Sequence, residues 1–404
     1  MRFSKVKYFM ALVLGMAILL STPLRSYAGG YPAKVDKWLR ENKVGPYQEE
    51  ETDLNAIYKA ALKEGPVVVY ASSSRGPVAL SNGFYEKWPG IEVEWNTVGT
   101  SGGIQRLITE QQSGVYNVDI LFVSDFPTQA NVLVPANMLF PWVPSSMRDV
   151  IQPAFQDPLL AHRYEARVIF YNDDAYSECP IDSWWDLVKP EWYKNIVLED
   201  PRVSGSTLDL FTTLVINADQ MAEEYERVFG EHIKLTTPNA GYEFIKRLAK
   251  NRPRLIDRDS EGRFVAKTGQ ERPPLGVSFA FSRIRDAGNP ELGDLRWTVA
   301  TDITPAAGLI YPSGINIAYR SKSPNGAKLV IEWLLGDENG EKGMTPWFVP
   351  GNWPSRFDVK TGSEHPYLDG YSWGINDINW WYMDSKRLWE EKINVLEFVQ
   401  EHFR

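Results

Sequence analysis

The clearest clue to the fold is residues 67–76, with the sequence Val-Val-Val-Tyr-Ala-Ser-Ser-Ser-Arg-Gly. Its first five residues are mostly β-branched or aromatic, which is typical of a buried strand. Four polar residues and a glycine then favour a turn, and Pro77 suits the first position of a helix. Strand, turn and helix in this order form the repeating unit of an α/β domain.

The same alternation of short apolar strands with amphipathic helices continues along the chain. Residues 118–123 are nearly all apolar, as expected for a central parallel strand that is buried on both faces. In residues 91–97 apolar and polar side chains alternate, so one face of that strand should be exposed. The sequence therefore predicts an α/β fold, with strands at residues 66–71, 91–97, 118–123, 167–172, 195–199, 275–281 and 315–319.

The N-terminus has the pattern of an export signal. Arg2, Lys5 and Lys7 precede an apolar run at residues 8–20, and Ser26-Tyr27-Ala28 fits the small-x-small rule for cleavage. The apolar run is shorter than the roughly 20 residues that span a bilayer. We therefore expect residues 1–28 to be a cleavable signal peptide and the protein to function in the periplasm.

Size and charge narrow the function further. Without the signal peptide the chain has 376 residues, which suits two lobes better than one core. The signal carries four basic residues, so the net charge of −9 becomes −13, which argues against nucleic acid and anionic membranes as partners. Cys179 is the single cysteine, so neither an internal disulfide nor a cysteine-based metal site is expected, and we predict no cofactor.

Three turns before predicted helices share a composition of serine, threonine and glycine, at residues 72–76, 99–103 and 204–207. Ligands of open α/β sheets bind at the carboxyl ends of the strands, where such turns lie. The free N–H groups of helix N-termini attract anions there, and Arg75 adds a cation that can form two parallel hydrogen bonds. Each turn alone is also ordinary helix capping, but three together favour an anion site.

As an ordered set, nine segments between about residues 60 and 350 resemble the iron(III)-type extracellular solute-binding proteins of ABC transporters. They are residues 67–72, 99–102, 117–122, 168–172, 185–190, 200–206, 275–277, 312–316 and 323–327.

This resemblance implies a type II periplasmic-binding fold, in which two α/β lobes are joined by a two-strand hinge and enclose the ligand. The implied division is an N-terminal arm at residues 29–60, a first lobe at residues 61–165 plus 306–404, and a second lobe at residues 166–305. The chain should cross between the lobes near residues 165–167 and 301–306. The implied partner is the membrane permease of an ABC transporter, and the receptor itself should be a monomer.

The resemblance also carries over a set of ligand-facing residues, to which Arg283 adds a second candidate cation. The predicted ligand-binding residues are Ser73, Ser74, Arg75, Thr100, Ser101, Ser206, Thr207 and Arg283.

The chain departs from the iron-binding members at residues 278–283. Those members use adjacent tyrosines at this place, whereas this segment has none. We therefore expect a small organic anion as ligand, such as a phosphate ester, phosphonate, sulfonate or carboxylate. Phe279 and Phe281 could pack on an apolar part of that ligand or belong to the core.

Two alternatives remain open in the sequence. The first is a receptor of the same fold for Fe(III), for which Tyr367, Tyr371 and Tyr382 would be available near the C-terminus. The second is a secreted hydrolase, but no Gly-x-Ser-x-Gly or His-Glu-x-x-His motif is present, and we expect no catalytic residues and no enzyme activity.

The tryptophan-rich C-terminal segment, from about residue 355, falls outside the resemblance. Its last helix is predicted at residues 385–400, with Leu388, Ile393, Leu396 and Val399 facing inward.

Overall fold

The computed structural model describes residues 30–287, 289–337, 342–359 and 374–403. The predicted signal peptide, Tyr367 and Tyr371 lie outside these residues. Within them, no helix has the length and apolar character needed to cross a membrane.

The described residues form an α/β structure of eleven α-helices, twelve strands, shorter 3-10 turns and a π-helical turn at Gln129–Leu133. The α-helices are α1 (Ala33–Asn42), α2 (Leu54–Ala61), α3 (Gly76–Ser81), α4 (Phe84–Lys87), α5 (Thr100–Gln112), α6 (Phe126–Thr128), α7 (Gly205–Ile216), α8 (Ala218–Phe229), α9 (Ala240–Lys250), α10 (Pro324–Leu334) and α11 (Ser385–His402). The strands are β1 (Val67–Ala71), β2 (Val93–Thr97), β3 (Ile120–Val123), β4 (Leu139–Phe140), β5 (Ala161–Tyr171), β6 (Ile196–Glu199), β7 (Arg254–Ile256), β8 (Leu275–Ala280), β9 (Thr298–Val299), β10 (Gly308–Ala318), β11 (Asn352–Pro354) and β12 (Trp381–Tyr382).

One curled sheet runs through the molecule in the order β2-β1-β3-β10-β5-β8-β6-β7. The strands at each end pair in parallel, β1 with β2 and β3, and β6 with β7 and β8. The two central strands, β5 and β10, run antiparallel to each other and to their outer neighbours. The sheet is therefore two parallel halves joined through a central antiparallel pair.

The hydrophobic core is divided along the same line. The clusters of the first half, here called the first lobe, draw on residues 35–161 and 315–347. The clusters of the second half, the second lobe, draw on residues 166–311 and 353–403. β5 passes between the two cores after Ala161, and β10 passes back between Tyr311 and Ile315. The second passage lies beyond the predicted crossing at residues 301–306.

The C-terminal segment corrects part of the predicted lobe division. Val395, Leu396 and Val399 of α11 are buried in the second-lobe core, whereas the sequence prediction assigned all of residues 306–404 to the first lobe. Ile393, predicted to face inward, is 40% exposed. The apolar spacing of a helix shows which side is buried but not which partner buries it.

The hinge strands are longer than predicted. The sequence indicated only residues 167–172 and 315–319, but β5 and β10 each span eleven residues. The missed halves contain His162, Arg163 and Glu165 on β5, and Ser313 and Gly314 on β10. Polar and glycine residues carry little strand propensity, so tertiary pairing decides the conformation there.

Close packing of the hinge strands leads to a prediction at Gly308. A Cβ atom at this position would lie 2.0 Å from the carbonyl oxygen of Arg167 on the paired strand. Gly308→Ala must push the strands apart and should lower the free energy of unfolding by about 1–3 kcal/mol. Gly65→Ala is the matched control, because a Cβ there meets nothing within 4 Å. Urea unfolding of both variants measures the difference, and equal stability would contradict the packing argument.

Candidate ligand-binding cleft

A cleft of about 560 Å³ lies between the two lobes, and its lining is dominated by hydroxyl, guanidinium and carboxylate groups. Tyr311 is the aromatic residue among those that line it. This volume is in the usual range of sites for small organic molecules.

The first-lobe wall of the cleft is built at the carboxyl ends of β1 and β3. Residues 72–75 follow β1, and Ser124 and Asp125 follow β3. Thr100 and Ser101 lie in the first turn of α5, where the backbone N–H groups lack helical partners. This wall therefore offers donors to an anion.

The turn that carries Arg75 is supported from below by Trp95. The indole N–H of Trp95 donates to the carbonyl of Ser73 at 2.9 Å. A Cβ on Gly76 would lie 2.2 Å from ring carbons of Trp95, so glycine is what lets the ring pack there. The ring also contacts Phe122 edge to face, with centroids 5.9 Å apart. Arg75 thus projects from a rigid support.

The second-lobe wall has three parts. Residues 204–206 lie at the start of α7, where the Ser204 hydroxyl accepts a hydrogen bond from Thr207 N at 3.3 Å. Residues 258–260 follow β7, and the Ser282, Arg283 and Arg285 side chains follow β8. This wall also presents a helix N-terminus and cations to the cleft.

A buried ionic network forms the floor of the cleft around Arg167. Its guanidinium bonds to Glu199, approaches Asp259 at 3.7 Å and donates to the carbonyl of Ser278 at 3.1 Å. Ser278 has a φ of 61°, a conformation that non-glycine residues adopt rarely. The network neutralises Arg167 inside the protein.

A second ionic pair lies beside the network. Arg163 donates to Glu165 at 3.2 Å, and the Ser124 hydroxyl donates to the same carboxylate at 3.3 Å. Burial alone would raise the pKa of Glu165, but the charges of Arg163 and Arg75 lower it. Glu165 is therefore ionised and lies close to the positive charges of both Arg163 and Arg75.

Arg75 and Arg285, by contrast, form no ion pair with any carboxylate of the described residues. With the Asn352 amide oriented so that its nitrogen donates to Glu165, the amide oxygen accepts from Arg75 Nη1 at 3.2 Å. Arg285 donates to the carbonyl of Ser282 at 3.1 Å. Each arginine thus has a neutral acceptor only.

The environment of the two arginines is unfavourable to their charge. The pKa of Arg75 is lowered to about 9, first by burial and then by the positive charges of Arg285 and Arg163. The pKa of Arg285 is also lowered, by burial and by the charge of Arg283. A bound anion would relieve both, because opposite charge favours the protonated form.

A comparison with sequence families gives an independent line of evidence. The family model described as bacterial extracellular solute-binding protein matches residues 48–341. This chain belongs to that family. No curated protein matches the sequence.

Solved structures similar to this solute-binding protein share its fold. Apo ferric ion-binding protein A of Pasteurella haemolytica matches with a TM-score of 0.62 and 17% identity, over 83% of this chain and 97% of the other. Iron-bound HitA of Pseudomonas aeruginosa matches with a TM-score of 0.59 and 16% identity, over 83% and 98%. An ABC transporter structure from Clostridium perfringens matches with a TM-score of 0.57 and 17% identity, over 84% and 100%. The predicted type II periplasmic-binding fold, with two α/β lobes, is confirmed.

The cleft brings together seven of the eight side chains predicted to bind ligand. They are Ser73, Ser74, Arg75, Thr100, Ser101, Ser206 and Arg283. Thr207 is the exception, since it is fully buried and its hydroxyl donates to Glu199 at 3.1 Å. Thr207 supports the floor of the solute-binding cleft from behind and does not line it.

The structure also changes the expected role of Arg283. Its guanidinium pairs with Asp259 at 2.9 Å and with Asp286 at 3.5 Å. Arg285, two residues further along the same 3-10 turn, is the arginine without a carboxylate partner among the described residues. Of the two arginines on this turn, the predicted one is therefore paired with carboxylates.

Several residues that line the cleft were not predicted from the sequence, because they lie within strands and not in the serine- and glycine-rich turns. Arg163, Glu165 and Arg167 belong to β5, where the side chains of a strand alternate between its two faces. The pattern that could have identified them is the presence of charged residues inside a central strand, since such residues are seldom buried without a function or a partner.

The structure bears on two alternatives from the sequence, namely that Phe279 and Phe281 contact the ligand and that C-terminal tyrosines hold iron. Phe279 and Phe281 are fully buried in the second-lobe core, so they do not contact a ligand in the cleft. Tyr382 is 61% exposed on β12. Within the described ranges, no group of three or more His, Cys, Asp and Glu side chains is arranged to hold a metal ion.

Proposed function

We propose that this chain is the periplasmic receptor of an ABC-type importer and that it captures a small organic oxyanion between Arg75 and Arg285. The observation that carries this proposal is a pair of cations without carboxylate partners among the described residues, in a cleft of hydroxyl groups. The oxyanion would be a phosphate ester, phosphonate, sulfonate or carboxylate. The receptor acts as a monomer, without turnover, and delivers the ligand to a membrane permease.

The energetics are sufficient for such a role. A hydrogen bond to a charged group contributes about 1.5–3 kcal/mol. Three or four of them in a closed cleft approach the ~8 kcal/mol of micromolar binding, before ordering costs. The volume of about 560 Å³ leaves room for an organic body beside the anionic group.

Fe(III) is the competing ligand, because several of the similar structures, including those from Pasteurella haemolytica and Pseudomonas aeruginosa, are named as ferric ion-binding or iron-bound proteins. Among the residues that line this cleft, Tyr311 supplies the one phenol, and residues 278–283 contain no tyrosine. A single phenol is a poor ligand set for Fe(III), which is held best by several anionic oxygen ligands such as paired phenolates. This observation supports the organic oxyanion over the bare metal ion.

The first test is native mass spectrometry of freshly purified protein, followed by calorimetric titration. The titration panel contains sn-glycerol 3-phosphate, methylphosphonate, ethanesulfonate, succinate, glucose and Fe(III). We expect saturable binding of at least one oxyanion with one ligand per chain, and no binding of glucose. Tight binding of Fe(III) alone, or of glucose alone, would overturn the proposal, as would a bound ligand that is converted to product.

A further inference from the structure

The C-terminal helix places a buried cation between two carboxylates of the cleft. Lys392 of α11 is 8% exposed, and its Nζ lies 2.7 Å from Asp209 Oδ1 and 3.7 Å from Asp125 Oδ1. Both carboxylates line the cleft. Nothing in the ligand-binding proposal uses Lys392.

The two carboxylates belong to opposite walls. Asp125 follows β3 and caps α6, so it moves with the first lobe, where Phe126 is part of the core. Asp209 lies on α7, whose neighbouring residues Leu208 and Leu210 are part of the second-lobe core. Lys392 therefore links the two lobes at the edge of the ligand site.

α11 is attached to both lobes. Val395, Leu396 and Val399 bury it in the second lobe. Its polar contacts with the first lobe are Lys392 with Asp125 and a hydrogen bond from Asn131 Nδ2 to the carbonyl of Ser385 at 3.0 Å. Apolar packing resists separation, whereas polar contacts can exchange for water as lobes open.

The charge balance favours the linked position. Although burial opposes it, the charges of Asp125 and Asp209 raise the pKa of Lys392, so the ammonium stays protonated. A buried ammonium is costly unless it is paired. Opening that moved Asp125 away would leave Lys392 with one partner instead of two.

We propose that Lys392 is a positioning residue that draws the walls of the cleft together through Asp125 and Asp209, and so sets ligand affinity without contacting the ligand. The effect on affinity rests on the proposed ligand-binding function. The effect on the ligand-free conformation does not.

The test measures the radius of gyration of the ligand-free mature protein by small-angle X-ray scattering at neutral pH. Lys392→Met should raise the radius because the lobes open, and Lys392→Arg should restore it because the charge returns. Affinity for the best-bound oxyanion of the panel should fall about tenfold in Lys392→Met, a typical size for conformational coupling. Lys328→Met is the matched control, since Lys328 is also buried but its Nζ lies 3.4 Å from Glu49. Both partners belong to the first lobe, where the carbonyl of Glu49 accepts a hydrogen bond from Arg148. The radius of this control should stay unchanged.

Asp125→Asn keeps the proposal testable if Lys392→Met does not fold. The amide oxygen can still accept the capping hydrogen bond from Thr128 N, and the Lys392–Asp209 pair remains. This variant should also raise the radius of gyration. A wild-type radius in Asp125→Asn, whatever Lys392→Met shows, would mean that Lys392 serves Asp209 within the second lobe only, and would overturn the inference. If no oxyanion of the panel binds, the ligand proposal fails, but the scattering comparison still decides the role of Lys392.

Discussion

Replacement of Arg75 by alanine is expected to weaken oxyanion binding about 10- to 150-fold, because it removes one charge-assisted contact worth about 1.5–3 kcal/mol. Arg75 lies on a turn that Trp95 supports and has no carboxylate of the described residues to pair with, so the donors that do not bond to Asn352 are available to the ligand. Arg285→Ala should have an effect of the same order from the opposite wall. Isothermal titration with the best-bound oxyanion of the panel measures both.

The same substitution should have the opposite effect on the ligand-free protein. Below the lowered pKa of about 9, the folded state holds the Arg75 charge less favourably than the unfolded chain does. At pH 7 Arg75 therefore costs stability, and Arg75→Ala should raise the free energy of unfolding by about 1–2 kcal/mol. A residue kept for packing or for an internal ion pair would give a loss instead.

The matched control is Arg106→Ala, which removes an exposed arginine of the first lobe that pairs with Glu110 at 2.9 Å outside the cleft. Its stability should change by less than about 1 kcal/mol and its ligand affinity not at all. Unchanged affinity in Arg75→Ala, or an equal loss in the control, would remove Arg75 from the binding site.

Replacement of Arg167 by methionine is expected to lower the free energy of unfolding by about 3–5 kcal/mol. The change keeps an unbranched apolar stem but leaves Glu199 buried and deprived of its guanidinium partner. Asp259 also loses its contact with Arg167 at 3.7 Å, although it keeps Arg283. Urea unfolding at pH 7 measures the loss.

The pH dependence of the loss and a double variant test whether Arg167 acts through its charge. Burial raises the pKa of Glu199 and the charge of Arg167 lowers it, so in Arg167→Met the folded protein should bind a proton at this carboxyl even more readily than the wild type does. Stability from such a group falls as pH rises through its folded pKa, so Arg167→Met should be less damaging at pH 5 than at pH 8. Adding Glu199→Gln should restore part of the loss at pH 8. A loss that is equal at both pH values and is not restored would show that Arg167 acts by packing alone.

The α/β class and the loops of the first-lobe wall could be predicted from the sequence. The reason is local, because the Val67–Ala71 strand, the glycine at position 76 and the serines between them each have their own conformational preference. The position of α11 could not be predicted. Its apolar stripe is compatible with either lobe, and only the packing of Val395 and Val399 into the second-lobe core decides between them.

The local sequence also could not show which arginines of the cleft are paired with carboxylates. Arg283 and Arg285 lie on one 3-10 turn and differ little as sequence. Asp259 neutralises Arg283 from 24 positions away in the chain, across the second-lobe wall. The orientation of Thr207 could not be predicted for the same reason, since its turn lies at the cleft but its hydroxyl donates to Glu199.

The two long central strands have a consequence for dividing the protein into fragments. A fragment that stopped at residue 160 would contain β1, β2 and β3 but would lose β10, which pairs with Ile120–Val123 along the edge of β3. Four apolar residues would then carry unpaired backbone N–H and C=O groups, which is a template for aggregation. A first half that ends at residue 160 should therefore not be obtainable as a soluble piece by truncation.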